Sequence, residues 1–385
     1  MKSLQLFQLL LILFICFACR NKKVYIEENK DITYIYIDSL SNENIISKNK
    51  EKHRFIKLET TANCLVTKIE RMDFDDNKIF IKDSNEKIFV FDNQGKFLNN
   101  IGQIGQGPNE HYSIFDFYLD KSKKRICVVD ILKSAIFSYS YTGDLLEKKW
   151  VNRNIFRNFS HIYLAGNNTL LSINYNSLES KYNFSLVSGN NYDNVNNFVP
   201  YLFIGEKYPQ STGRLPVTES RNKIFLSALI SDTIYRYDPD TKKIIPDIVF
   251  KGKYRPMTKK DVEGKHLEIA MDALLTAKEE KLSYGITDLA MTQKYLNFIV
   301  QDYNSVNRVI WNMDTKKGCI FKTYDNSMLN NFFTYLIAAT DDAFVCAIPA
   351  DVFTSVNWIE NESAKEVAAK TLEDDNPIIA FYYFE

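Results

Sequence analysis

The residues best suited to chemistry sit in one glycine-rich run, IGQIGQGPNEHY at residues 101–112, where Glu110, His111 and Tyr112 follow three glycines and a proline. Such a composition describes a shaped loop needing special backbone angles, not a flexible linker. A carboxylate, an imidazole and a phenol on that loop could give polar contacts to a ligand. Glu110 could equally serve the loop itself by accepting from its backbone N–H groups. Phosphate cradling is not indicated, because no Lys-Ser/Thr follows the glycines and the strand context does not fit dinucleotide binding. Asp73, Asp75 and Asn77 imitate half of a calcium loop, but Lys78 replaces its glycine and Ser84 its closing glutamate, so a hairpin turn is expected. His53, His111, His161 and His266 are scattered, and neither HExxH nor GxSxG occurs. Cys64, Cys127, Cys319 and Cys346 lack CxxC spacing, and the last three lie in strand-like runs, where cysteine behaves as a small buried hydrophobe. No cofactor and no metal site are predicted.

These residues must be positioned by strands, and the strands repeat. IFIKD at 79, IFVFD at 88 and the turn glycine at 95 recur as ICVVD at 126, IFSYS at 136 and Gly143, displacements of 47, 48 and 48. A repeat of that length holding several short strands is the signature of a β-propeller blade. Second strands continue as LLSIN at 170, IFLSA at 224, LNFIV at 296 and FVCAI at 344. Six blades follow. The predicted fold is all-β, a six-bladed β-propeller with two short helical insertions on one face. Residues 333–339, 344–348 and 378–384 supply three strands of the last blade, and Arg54–Glu59 closes it as the outermost.

The helical insertions break the β period. Leu267, Ala270, Met271, Leu274, Ala277 and Lys278 have helical spacing, with Thr258 and Asp261 placed as a cap. A shorter helix is expected over 364–372, with Ser363 and Glu366 in the S-x-x-E capping pattern. The first precedes the inner strand of blade five, and the second joins the second and third strands of blade six. In an up-and-down blade those connections emerge on the same face. The stretch from Pro200 to Pro216 joins them there, as does the loop 101–112. On this expectation Glu110, His111, Tyr112, His161 and Arg214 line or rim the channel on that face.

Composition bounds the partners. Lys plus Arg equals Asp plus Glu at 48 each, so no net field favours nucleic acid or an anionic membrane. With 27 Phe and 23 Tyr the chain suits strands more than helices. The first residues form a targeting segment: Lys2, an apolar run from Leu4 to Phe17, then Ala18-Cys19 and the basic stretch Arg20 to Lys23. The run is shorter than the ~20 apolar residues a spanning helix needs. A small residue before a cysteine at its end resembles a bacterial lipoprotein signal, in which Cys19 becomes the acylated first residue. The domain expectation is a signal peptide at 1–18, an anchor and linker at 19–52 and the propeller at 53–385. Anchoring without spanning is then expected. The location expected is the cell envelope, at the outer membrane and facing the periplasm, since residues 20–23 lack the acidic groups that some lineages use for surface export.

The run around Gly105, Gly107, Pro108 and Glu110, followed by FYLD at 117–120, resembles a family of bacterial six-bladed β-propeller lipoproteins related to NHL-repeat propellers. FIKLET at 55–60 and Asp375-Asn376-Pro377 match the same pattern, so the resemblance covers about residues 53–385. The chain departs from it at Asn109, where glycine is usual, and by inserting His111 before Tyr112. The resemblance implies the fold and no common reaction. Some six-bladed propellers are lactonases or lyases holding a metal on the axis with residues from several blades. The leading functional expectation is capture of a small molecule, glycan, peptide or envelope protein at the channel. A metal-assisted hydrolase or lyase and a structural subunit of an envelope complex are the competing expectations.

Overall fold

The structure is a computed structural model describing residues 31–42, 53–166, 168–204, 213–265, 267, 270–323, 333–358 and 361–384. Its strands form six antiparallel four-stranded blades, two of them extended by a fifth strand. The inner strands are Ile69–Asp75, Asp116–Asp120, Phe159–Gly166, Val217–Ser220, Ser283–Met291 and Leu336–Ala339. The expected second strands are present, as Lys78–Asp83, Arg125–Asp130, Thr169–Asn174, Lys223–Ser227, Tyr295–Asp302 and Ala343–Ile348. Blade six closes as expected: Ile378–Tyr383 pairs with Arg54–Lys57, with Ile378 opposite Lys57 and Phe381 opposite Arg54.

Period-two alternation inside the blades explains how they pack. In Lys78–Asp83, Ile79 and Ile81 face blade six, among Ile337, Val345 and Ile379. Phe80, between them, faces blade two, among Phe117, Val128 and Phe137. Both sheet faces are therefore buried, and the second strand reads as an unbroken apolar run. The same arrangement fills each of the other junctions between neighbouring blades. Outer strands see solvent on one side, so Leu145–Trp150 carries Glu147, Lys148 and Lys149. Cys64, Cys127, Cys319 and Cys346 are all buried and free, as small hydrophobes of these cores.

Five α-helices are formed among the described residues: α1 (Arg153–Phe156), α2 (Lys259–Val262), α3 (Ala270–Glu280), α4 (Ala350–Thr354) and α5 (Glu362–Ala368). Every one lies in a connection between blades or between second and third strands, so all share one face. Each expected insertion is thus a helix pair. Asp261 caps α2, accepting from the N–H and hydroxyl of Thr258 at 2.7 Å each. The cap expected from Ser363 is made instead by Asn361, whose side chain accepts from the N–H of Ala364 at 2.8 Å. Ser363 falls inside α5, two residues past the cap position.

The segment expected as anchor and linker also contributes to the blades. Thr33–Tyr36 joins the outer edge of blade four, and Leu40–Ser41 pairs in parallel with blade five, Leu40 opposite Gly318. Ile35 is fully buried in the core between those blades. Both additions cover edges that would otherwise present unpaired backbone groups. Cys19, His266 and residues 205–212 of the Pro200–Pro216 connection lie outside the described residues.

Candidate functional site

Side chains from all six inner strands surround a central cavity of about 780 Å³. Its lining includes the turns after the inner strands of blades two, four and six: Asp120 to Ser122, Ser220 to Asn222, and Thr340 to Asp342. Those turns join first to second strands, so they mark the face opposite the helices. A side groove of about 310 Å³ shares Asp120, Ser122, Glu219 and Asn222 with the cavity and extends toward Tyr192 and Tyr237.

Three blades are fastened together at the wall by one ion pair. Arg71 of blade one donates to Asp116 of blade two at 2.7 Å and to the carbonyl of Ile162 in blade three at 3.0 Å. Asp116 in turn accepts from the N–H of Ile162 at 2.8 Å and of Phe117 at 2.9 Å. The Arg71 guanidinium lies 4.3 Å from the centroid of the Tyr163 ring. Burial alone would lower the Arg71 pKa, but Asp116, Tyr163 and Asp73 together outweigh it and the value is raised. The cation is therefore permanent, and Arg71 is part of the cavity lining.

Further groups around the wall are held in fixed protonation states. Burial lowers the pKa of His161, with Asp116 opposing it, so the imidazole is neutral near pH 7. Its Nδ1 lies 3.2 Å from the hydroxyl of Ser160. Tyr163 is pushed up to about 12 by burial and stays protonated. Lys121 at the turn face is raised, first by Asp73, 3.4 Å from it, against burial and with help from Glu219. Arg214 donates to the carbonyl of Thr334 at 2.7 Å while its own N–H donates to Asp288 at 3.2 Å. Glu70 pairs with the buried Lys82. The cavity thus offers donors and acceptors of both signs. Among the described residues no three of His, Cys, Asp and Glu gather as a metal site would require.

Of the five residues expected at the site, His161 and Arg214 line the cavity, and Glu110, His111 and Tyr112 do not. Glu110 folds back to accept from the N–H of Gly107 at 2.7 Å. A Cβ on Gly105 would stand 2.1 Å from the Glu110 carboxylate, which is why the chain has glycine there. Tyr112 is exposed, and its N–H donates to Asp130 at 2.7 Å. Arg71, Asp116 and Lys121 escaped notice because each is a lone charge on an inner strand or its turn, without a local motif.

His111 is fully buried against Phe137, with its Nε2 2.8 Å from the Tyr139 hydroxyl. Burial, with Asp130 opposing and Lys133 and Lys148 assisting, lowers its pKa from 6.5 to about 4. The unfolded chain therefore takes up this proton first as pH falls. The contribution of His111 to stability is complete above 6.5 and declines steadily toward pH 4. A shift of that size corresponds to about 3 kcal/mol at full protonation. His111→Gln is expected to flatten the denaturation midpoint between pH 6.5 and 4, and an unchanged slope would contradict this assignment.

No curated protein matches the chain. A crystal structure from Bacteroides fragilis NCTC 9343, of a protein named as a candidate exported protein, is similar at 18% identity and TM-score 0.72. The match covers 92% of this chain and 99% of that one. A member of the DUF4221 family from Bacteroides vulgatus ATCC 8482 is similar at 11% identity and TM-score 0.51, over 87% of this chain and 97% of that one. Both likenesses establish the propeller architecture. The family model of the domain of unknown function DUF4934 matches residues 32–383, from the strand added to blade four through the last strand of blade six, and the chain belongs to that family.

Proposed function

We propose that this protein is a lipid-anchored cell-envelope propeller that captures a polar ligand, such as a glycan end or a short peptide, in its central channel. The observation that carries this is the cavity of about 780 Å³ shared by six inner strands. Cavities of several hundred Å³ with a few braced polar groups are the usual form of small-ligand sites. The turn face offers the approach, because Asp120 to Ser122, Ser220 to Asn222 and Thr340 to Asp342 stand at that end of the lining. Glu70, Arg71 and Arg214, at the starts of inner strands, line the other end, on the face of the insertions. The helices instead cover apolar surface of the scaffold: Val262, Ala273 and Ala277 pack with Ile230 and Leu282.

The envelope location is supported by the leader-like segment ending in Ala18-Cys19 and by the name of the Bacteroides fragilis relative. Cys19→Ser is expected to move the mature protein from the membrane fraction to the soluble fraction. Retention of the variant in membranes would remove the anchor from this reading. For the channel, a thermal-shift screen of oligosaccharides and short peptides is expected to yield ligands that raise the melting temperature. Their effect should vanish in Arg214→Ala, whose exposed guanidinium contributes little to the fold.

A further inference from the structure

The loop 101–112, which the channel leaves unused, meets two other segments at one corner of blade two. The ammonium of Lys133, in the turn 131–134, donates to the carbonyls of Gly107 at 2.7 Å and of Glu110. The same ammonium lies 4.4 Å from the centroid of the Tyr112 ring. Lys148 reaches the carbonyl of Pro108 at 3.3 Å and lies 4.3 Å from the Trp150 ring. The two rings are open to solvent, Trp150 59% and Tyr112 50% exposed, as are Leu132 of the turn 131–134 at 53% and Ile104 of the loop at 47%. Exposed apolar residues scattered singly need no explanation, but four on one corner mark a contact surface.

Its chemistry narrows the partner. Trp and Tyr beside Leu and Ile, edged by lysine, is the composition of a surface that settles into the headgroup region of a bilayer. The Lys133 ammonium is held by two loop carbonyls and the Tyr112 ring, while the Lys148 ammonium lies over the Trp150 ring at the exposed rim. The nearby acids are turned away: Asp130 is fully buried and accepts from the backbone of Tyr112 and Lys133, and Glu110 points at Gly107. Glu147, on the same strand as Trp150, pairs with Arg125 at 3.1 Å, which leaves Lys148 as the cation beside Trp150 for anionic lipid.

We propose that this corner of blade two is a membrane-surface contact, in which Trp150, Tyr112, Leu132 and Ile104 enter the headgroup layer, Lys148 meets lipid phosphate and Lys133 braces the loop that carries Tyr112. Its biological setting rests on the lipid anchor at Cys19. From Cys19 to Tyr34 is 15 residues, a tether reaching at most about 50 Å. An anchored chain meets the bilayer at high effective concentration, where weak intrinsic affinity is enough.

The test uses the chain from residue 19 onward carrying Cys19→Ser, so that no acyl chain is present and failure of the anchor reading cannot be confused with failure of this one. All six blades lie within Tyr34–Glu385. Vesicles of phosphatidylglycerol and phosphatidylethanolamine are the probe. Trp150 reports directly, because Trp311 and Trp358, the other tryptophans, are buried. Co-sedimentation with a blue-shifted emission, quenched by brominated lipid, is expected. Trp150→Ala with Tyr112→Ala should weaken partitioning by about tenfold or more without lowering the melting temperature. Trp150→Phe should keep the binding and lose the emission shift. Absence of vesicle binding, binding with unshifted emission, or equal binding by the double variant would overturn the proposal. So would self-association that shields Trp150 in place of lipid, which would give the corner to a second copy of the chain.

Discussion

Asn376→Ala is expected to destabilise the whole propeller by about 3–5 kcal/mol, one of the largest effects of any single substitution in this chain. The Asn376 side-chain amide donates to the carbonyls of Glu59 and Cys64 at 2.7 Å each, and its oxygen accepts from the N–H of Val66 at 2.8 Å. Its backbone N–H donates to the hydroxyl of Thr60 at 2.9 Å. One side chain thus satisfies three backbone groups of the segment that carries the chain from blade six into blade one. An alanine would leave those groups buried and unpaired, at about 1–3 kcal/mol for each that water cannot reach. The neighbouring Lys57–Asp375 pair at 2.6 Å is about a third exposed on its lysine side and should matter much less. Because Arg54–Lys57 and Ile378–Tyr383 close the ring between them, the loss should appear as one cooperative shift in a denaturant titration. Fraying confined to blade six would contradict the closure.

A loss of about 3–5 kcal/mol is also expected for Arg71→Ala, by a different cause. Arg71 and Asp116 have side chains only 10% and 5% exposed, so removing the cation strands a carboxylate inside the wall. The pair does not owe its value to attraction alone, since burying two charges nearly cancels that gain. What the substitution removes is the compensation. Arg71→Met combined with Asp116→Asn should therefore cost less than the sum of the single changes, because the amide can still accept from Ile162 and carries no charge. Additive losses in that double-mutant cycle would mean that the two groups act independently.

The sequence discloses most where each strand experiences the same environment. Second strands such as Lys78–Asp83 are buried on both faces, so their apolar runs and spacing near 47 residues stand out without any structure. Ring closure by Arg54–Lys57 is legible for a similar reason, since the C-terminal strand otherwise lacks a partner. The added strands Thr33–Tyr36 and Leu40–Ser41 are not: they are four and two residues long, and only Ile35 among them is buried. A segment so short has no period to read.

The site is harder for a topological reason. Arg71, His161 and Arg214 are far apart in sequence, one to a blade, and only the ring brings them to one cavity. The motif that does stand out locally, IGQIGQGPNEHY, is dense because the loop needs its own groups: Glu110 serves Gly107 and His111 serves Tyr139. Local concentration of polar residues here records the cost of holding a loop, whereas the recognition groups are dispersed.

That division can be tested in a single comparison, using the first ligand that raises the melting temperature. Binding isotherms and melting temperatures are measured for Arg214→Ala and Glu110→Ala beside the unaltered protein. Placing recognition in the channel predicts that Arg214→Ala weakens the ligand about tenfold or more while melting almost unchanged. Glu110→Ala should bind normally and melt lower, because the Gly107 N–H loses its acceptor. Full affinity in Arg214→Ala, together with lost affinity in a stable Glu110→Ala, would contradict the account and return the site to the glycine-rich loop.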